Sequence, residues 1–239
     1  MRLKIYTLVL VPVILVQGYQ VKKNTPRLPE PIGERVGKKG VGKTLSLLIL
    51  GDSAAAGVGV NVQDDALLGS ILTELSSEFS IQFYLHATTG FTTDQVIHAI
   101  QTLETRHFDV IITSVGVNDI TKFTSPRAWI VKQKQLYQIL KHKFSPQLTI
   151  ASGVPPMDQF PALPNPLAWL FGQYAKAMNL KLSQFVAQEQ QMDWIEYDLE
   201  KFKNLNLDMA EDGFHPSKEI YQLWGKQVAE KIRQHFERV

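Results

Sequence analysis

The 239 residues carry 25 Lys and Arg against 23 Asp and Glu, 44% hydrophobic side chains and no Cys. A chain of this length can bury a full core, and its composition excludes a fibrous repeat or a mainly disordered protein. Without Cys it has no disulfide framework, thiolate metal site, Cys nucleophile or lipobox. The net charge of +2 hides an asymmetry, since residues 1–44 hold 9 basic and 2 acidic side chains and residues 45–239 hold 16 and 21. The larger part is mildly acidic and does not read as a nucleic-acid surface.

In chain order, Arg2 and Lys4 precede the run Ile5 to Val16, which is apolar except for Thr7. As a helix that run covers about 18 Å, against a bilayer core of about 30 Å. A charged start, a short apolar run and the small Gly18 predict a signal peptide or N-terminal anchor over residues 1–20. Export is the consequence, with membrane association through this segment where it is retained. Residues 21–44 are rich in Pro, Gly and Lys without periodicity and predict a basic linker. Gly37-Lys-Lys-Gly-Val-Gly42-Lys43-Thr44 matches the phosphate-loop pattern, but that motif works only between a buried strand and a helix. The segment before it contains three prolines and cannot be a central strand, while Leu45–Leu50 after it reads as a strand.

From residue 45 to 239 short apolar runs alternate with helix-period segments, predicting one domain. Strand candidates are Leu45–Leu50, Ile81–Leu85, Val110–Ser114, Leu148–Ala151 and Trp194–Tyr197. Helical faces appear at Leu67–Leu75, Val96–Leu103, Trp129–Leu140, Leu167–Val186 and Ile220–Ile232. Five strands separated by helices predict an α/β fold with a mainly parallel sheet, helices on both faces and a ligand at the C-terminal strand ends.

The residues just beyond those strands form a chemically coherent set. Gly51-Asp52-Ser53 comes after the first, Thr88-Thr89-Gly90 after the second, Gly116-Val117-Asn118-Asp119 after the third, and Asp212-Gly213-Phe214-His215 precedes the last helix. Each has a plain structural reading: Ser53 as a helix cap, Gly90 and Asn118-Asp119 as turns, His215 as a surface histidine. Together they supply a hydroxyl nucleophile, a base, an orienting acid and neutral donors, the set that acyl transfer requires.

These blocks resemble the four conserved blocks of the SGNH (GDSL) hydrolase superfamily, in the family's order and across residues 51–215. The resemblance implies a three-layer α/β/α flavodoxin-like fold, strand order 2-1-3-4-5, and ester hydrolysis without cofactor or metal. It implies Ser53 as nucleophile, His215 as base and Asp212 as its orienting acid. The Ser53 and Gly90 amides and the Asn118 side chain then form the oxyanion hole. Ala54 departs from the Leu of the family's name, and Thr88-Thr89 precede Gly90 where Asn or Ser is more usual. The nucleophile-elbow pattern of α/β-hydrolases is absent.

Residues 153–171 combine five prolines with large apolar side chains. Met157, Phe160, Leu163 and Trp169 are therefore candidates for a hydrophobic rim that accepts an acyl chain, or for plain packing onto the sheet. The leading expectation is a carboxylesterase, lipase or lysophospholipase acting on a small-molecule or lipid ester. The alternatives are a cell-envelope carbohydrate O-acetylesterase or acyltransferase, a silent scaffold of this fold, and a phosphate-loop module.

Overall fold

The computed structural model describes residues 2–197 and 208–237. Six strands form one sheet: β1 (Val36–Lys39), β2 (Lys43–Gly51), β3 (Phe79–Ala87), β4 (Val110–Ser114), β5 (Leu148–Ser152) and β6 (Met192–Ile195), in the order β1-β3-β2-β4-β5-β6. Strands β2 to β6 are parallel, and their order is the expected 2-1-3-4-5. The α/β/α architecture follows from alternation along the strands. On β2, Leu48 and Leu50 face one layer, with α4 (Thr93–Thr102), α6 (Pro126–Phe144) and α7 (Leu167–Val186). Leu45, Leu47 and Ile49 face the other, with α2 (Ser53–Ala56), α3 (Leu67–Leu75) and the helix Lys218–Phe236, here α8. A short α5 (Val117–Thr121) comes after β4.

Three expectations need correction. First, part of the anticipated linker belongs to the sheet: β1 pairs antiparallel with β3, from Val36 opposite Tyr84 to Lys39 opposite Ile81. An edge strand needs only one row of hydrogen bonds, so the prolines just upstream do not exclude it. Second, the last parallel strand is Met192–Ile195 rather than Trp194–Tyr197; its polar Asp193 pairs with Lys231 of α8 at 2.7 Å, which masks the strand in hydropathy. Third, the apolar N-terminal run is the middle of a longer helix, α1 (Arg2–Asn24), which continues through Pro12 and ends on Lys22 and Lys23, where basic side chains suit a helix C-terminus. The phosphate-loop pattern spans β1, a turn and the start of β2, so no helix N-terminus lies beyond it.

Candidate active site

Ser53 is the first residue of α2, directly beyond the C-terminal end of β2. Asp52 precedes it as the helix N-cap, its Oδ1 accepting the Ala54 amide at 3.2 Å. The α2 turn is held from the opposite end of the chain. Tyr221 of α8 donates its hydroxyl to the Val58 carbonyl at 2.7 Å and lies 3.0 Å from that of Ala54.

His215 reaches the same point from the loop before α8. Met209 and Pro216 bridge as an antiparallel pair, the Ala210 amide donates to the His215 carbonyl at 2.9 Å, and Gly213 turns the chain with φ of +66°. This bend is what the Asp-Gly pair predicts, and it folds Asp212 back onto the imidazole. Asp212 Oδ1 accepts the amides of Phe214 and His215 at 2.9 and 3.0 Å, and Oδ2 lies 2.5 Å from His215 Nδ1. The other ring nitrogen, Nε2, lies 2.9 Å from Ser53 Oγ. Close approach of this loop to α2 requires Gly59 (φ +114°), where a Cβ would meet the Pro216 carbonyl at 2.2 Å.

The two carboxylates beside Ser53 and His215 are pushed in opposite directions. Burial alone would raise Asp212, but the His215 ring and the two amides outweigh it and hold the carboxyl below the usual carboxylate range. Burial pushes Asp52 up to about 7, against the lowering effect of the Ala54 amide and of His215. A proton on Nδ1 is thus matched by an ionised Asp212, leaving the Nε2 lone pair toward the Ser53 hydroxyl.

Gly90 and Asn118 stand at the neighbouring strand ends, after β3 and β4. Gly90 is exposed with φ of +85°, in a turn closed by the Phe91 amide on the Thr88 carbonyl at 3.2 Å. Asn118 Nδ2 donates to the Phe91 carbonyl at 3.1 Å, tying the side chain to that turn and leaving its second N–H available. Asp119 is fully buried and accepts the Thr93 amide and hydroxyl, both at 2.9 Å, so it fastens α5 to the start of α4. Burial also raises its carboxyl. The Asn-Asp pair is therefore bonded across elements and not to its own turn.

Two residues of the N-terminal segment that sequence reasoning passed over hold the Gly90 turn. Glu30 Oε1 accepts both the amide and the hydroxyl of Thr89, at 2.8 and 2.7 Å. Arg35 pairs with Glu30 at 2.9 Å and donates to the Ala87 carbonyl at the end of β3. The Thr89 and Arg35 contacts together outweigh desolvation and lower the Glu30 carboxyl. The only sequence signal was the opposite charges of Glu30 and Arg35 among those of a Pro-rich stretch.

A cavity of about 50 Å³ opens beside Ser53 and His215, walled by Val115, Val154, Phe160, Phe214 and Trp224 among others. Of the four residues expected at an acyl rim, Phe160 alone lines it among the described residues. Met157 and Leu163 are buried in the core, and Trp169 packs edge-on against Tyr6 of α1, with ring centroids 5.2 Å apart. A larger cavity, about 720 Å³, opens at the opposite, N-terminal edge of β5 and β6. Among the described residues no group of three or more His, Asp or Glu is placed to hold a metal ion.

A hydroxyl, an imidazole and a carboxylate lie in line at the C-terminal edge of the parallel sheet, the arrangement that a hydrolase-type site requires. The family model described as GDSL-like lipase/acylhydrolase matches residues 49–223, and the chain belongs to that family. It is an ester-hydrolysing enzyme. Solved structures share the fold at low identity. A lipolytic protein of the G-D-S-L family from Veillonella parvula is 16% identical with a TM-score of 0.63, over 77% of this chain and 96% of that one. The psychrotrophic esterase EstA from Pseudoalteromonas is 15% identical with a TM-score of 0.58, over 80% and 98%. Est24, a carbohydrate acetylesterase from Sinorhizobium meliloti, is 16% identical with a TM-score of 0.57, over 80% and 99%. A comparison with curated protein sequences finds no match.

Proposed function

We propose that the enzyme cleaves carboxylic esters of short acyl chains through a Ser53-His215-Asp212 triad and an acyl-enzyme. The observation that carries the triad is the unbroken line from Asp212 Oδ2 through both ring nitrogens of His215 to Ser53 Oγ. His215 Nε2 takes the hydroxyl proton as Oγ attacks the ester carbonyl, and Asp212 holds Nδ1–H and stabilises the imidazolium. The tetrahedral oxyanion is met by the Ser53 amide at the head of α2, the Gly90 amide and the free N–H of Asn118. His215 returns the proton to the departing alcohol. Water, deprotonated in turn by His215, then releases the acid and restores Ser53.

The acyl length is set by the cavity. A space of about 150 Å³ accommodates benzene, and one water needs only about 10–15 Å³ of cavity. The cavity beside Ser53, about 50 Å³ with Phe160, Phe214 and Trp224 in its wall, suits an acetyl or propionyl group and not a fatty chain. The same observation favours a second reading, an O-acetylesterase on envelope carbohydrate, in which the alcohol side lies outside the cavity; an acyltransferase would differ only in the final acceptor. The intact proton line speaks against a silent scaffold. Export belongs to this proposal, on the strength of α1, whose stretch Ile5–Asn24 has a mean hydropathy of 1.4 and is long and apolar enough to cross a membrane.

The test is a panel of p-nitrophenyl esters from acetate to octanoate. Acetate or propionate should have the highest kcat/KM, with a fall of about tenfold or more by octanoate. Ser53→Ala should remove about 10⁴-fold or more of the turnover. A preference for octanoate contradicts the acyl-length reading, and an active Ser53→Ala contradicts the triad.

A further inference from the structure

The outward face of α1 carries more exposed large apolar side chains than any other element among the described residues. Ile5, Leu8, Val9, Leu15, Val16 and Tyr19 are all exposed, several by more than half. At about 100° per residue these six fall within one third of the helix circumference, and Tyr6, Val11 and Val13, also exposed, widen the apolar face to about 220°. The diametrically opposite stripe is docked. Ile14 is buried in the core, and Leu3, Leu10 and Val21 pack beside it. The polar groups of that stripe are fitted individually to the domain. Thr7 Oγ1 lies 3.0 Å from the Tyr174 hydroxyl of α7. The Gln17 amide donates to the Asn165 carbonyl at 2.6 Å and accepts the Leu167 amide at 3.1 Å, capping the start of α7.

This docking conflicts with a simple spanning role. The stripe runs from Leu3 to Val21, so nearly the whole helix lies along the domain. A helix held this way cannot cross a bilayer without drawing α7, with Lys176 and Lys181, toward hydrocarbon, or without leaving the Gln17 amide unpaired there. The alternative is a helix lying in the plane of the membrane, where the docked domain takes the place of the usual polar face. Charge favours an anionic surface. Residues 1–29 contain Arg2, Lys4, Lys22, Lys23 and Arg27 and no acidic side chain. Tyr6, Tyr19 and Trp169 are partly exposed, as aromatic rings at a lipid interface are.

We propose that α1 is retained in the working enzyme and lies in the surface of an anionic lipid bilayer while still docked to α7. Its apolar face enters the lipid and the segment 153–167, which carries Phe160 of the catalytic cavity, is held close to the membrane. This deepens the exported, tethered reading and is independent of the triad, since it is tested by binding and cross-linking.

The natural absence of Cys makes the test direct. The full chain carrying Thr7→Cys and Tyr174→Cys is bound to phosphatidylcholine vesicles containing phosphatidylglycerol and treated with a short bis-maleimide, which spans the gap left when the tyrosine ring is removed. Cross-linking on the vesicles, equal to that in detergent solution, is expected. Loss of the cross-link on vesicles but not in detergent overturns the in-plane arrangement in favour of a spanning helix. In parallel, Leu8→Glu with Leu15→Glu should lower vesicle partitioning about tenfold or more while leaving ester turnover in solution unchanged. Unchanged partitioning of that variant, or lipid-resistant dimers joined through α1, overturns the proposal. So does a mature natural protein that begins beyond Val21.

Discussion

Glu30 and Thr89 are joined twice, with the Thr89 amide and hydroxyl both donating to Glu30 Oε1 at 2.8 and 2.7 Å. The bond links a Pro-rich stretch ahead of the sheet to the residue next to Gly90. The same turn is otherwise held by the Thr88 amide on the Gly51 carbonyl at 3.2 Å and by Asn118 on the Phe91 carbonyl, so Glu30 supplies the bond that fixes its outer side. If the Gly90 amide receives the oxyanion, Glu30→Ala should lower kcat by roughly ten- to a hundredfold with little change in KM, as for a displaced donor. Glu30→Gln keeps an acceptor for Thr89 and should recover most of the loss. Wild-type kcat in a folded Glu30→Ala protein would show that the strap does not position the donor.

Asp212 binds three hydrogens, two amides and the His215 ring, so its removal acts on both stability and rate. Asp212→Asn should reduce kcat about 10⁴-fold, because the amide no longer enforces the Nδ1–H tautomer. The carboxyl's lowered folded value means that its stabilisation is present above the ordinary 3.8 and is lost as pH falls through the folded value. Acid unfolding of Asp212→Asn should accordingly be less steep than that of the parent. Stopped-assay kinetics and acid titration by circular dichroism check the two halves.

Asp52 has the opposite linkage. Its folded value, raised from 3.8 to about 7, means that the native protein holds a proton the unfolded chain releases in that window. The contribution is full below the unfolded value and disappears as pH rises through about 7. In Asp52→Asn, which retains an acceptor for the Ala54 amide, the Tm relative to the parent should rise between about pH 4 and pH 7 and level off above that. A difference independent of pH would show that Asp52 does not titrate in this window.

Tyr221 ties α8 to the α2 turn through the carbonyls of Val58 and Ala54. Tyr221→Phe leaves the buried Val58 carbonyl without its donor, while Ala54 keeps the Gly57 amide, and should cost about 1–3 kcal/mol in urea unfolding. Because the same turn sets the distance from Ser53 to His215, kcat should fall with it. A stability loss with unchanged kcat would separate the two roles.

The parts of the site that could be read from the sequence are those placed by strand ends. Apolar runs such as Leu47–Leu50 and Val110–Ile112 are continuous because both faces of a central parallel strand are buried, so the residues after them, Ser53 and Asn118, are easily located. Asp212 and His215 were legible because Asp-Gly makes the local bend that joins them. The remainder depends on contacts without local periodicity. Glu30, Arg35 and β1 are ordered by pairing with β3 and the turn after it, which composition cannot reveal. Met157 and Leu163 looked like a rim because apolar residues at a strand end read alike whether they line a groove or fill the core. Likewise α1 read as a short apolar run because Gln17 interrupts it, whereas Gln17 is satisfied by backbone groups at the start of α7.

The most direct measurement is peptide-mapped mass spectrometry of the enzyme after brief reaction with a fluorophosphonate or with p-nitrophenyl acetate. A single adduct on Ser53, absent from Ser53→Ala and sharply reduced in His215→Ala, is the predicted result. An adduct on another side chain, or steady ester turnover by a folded Ser53→Ala protein, would contradict it.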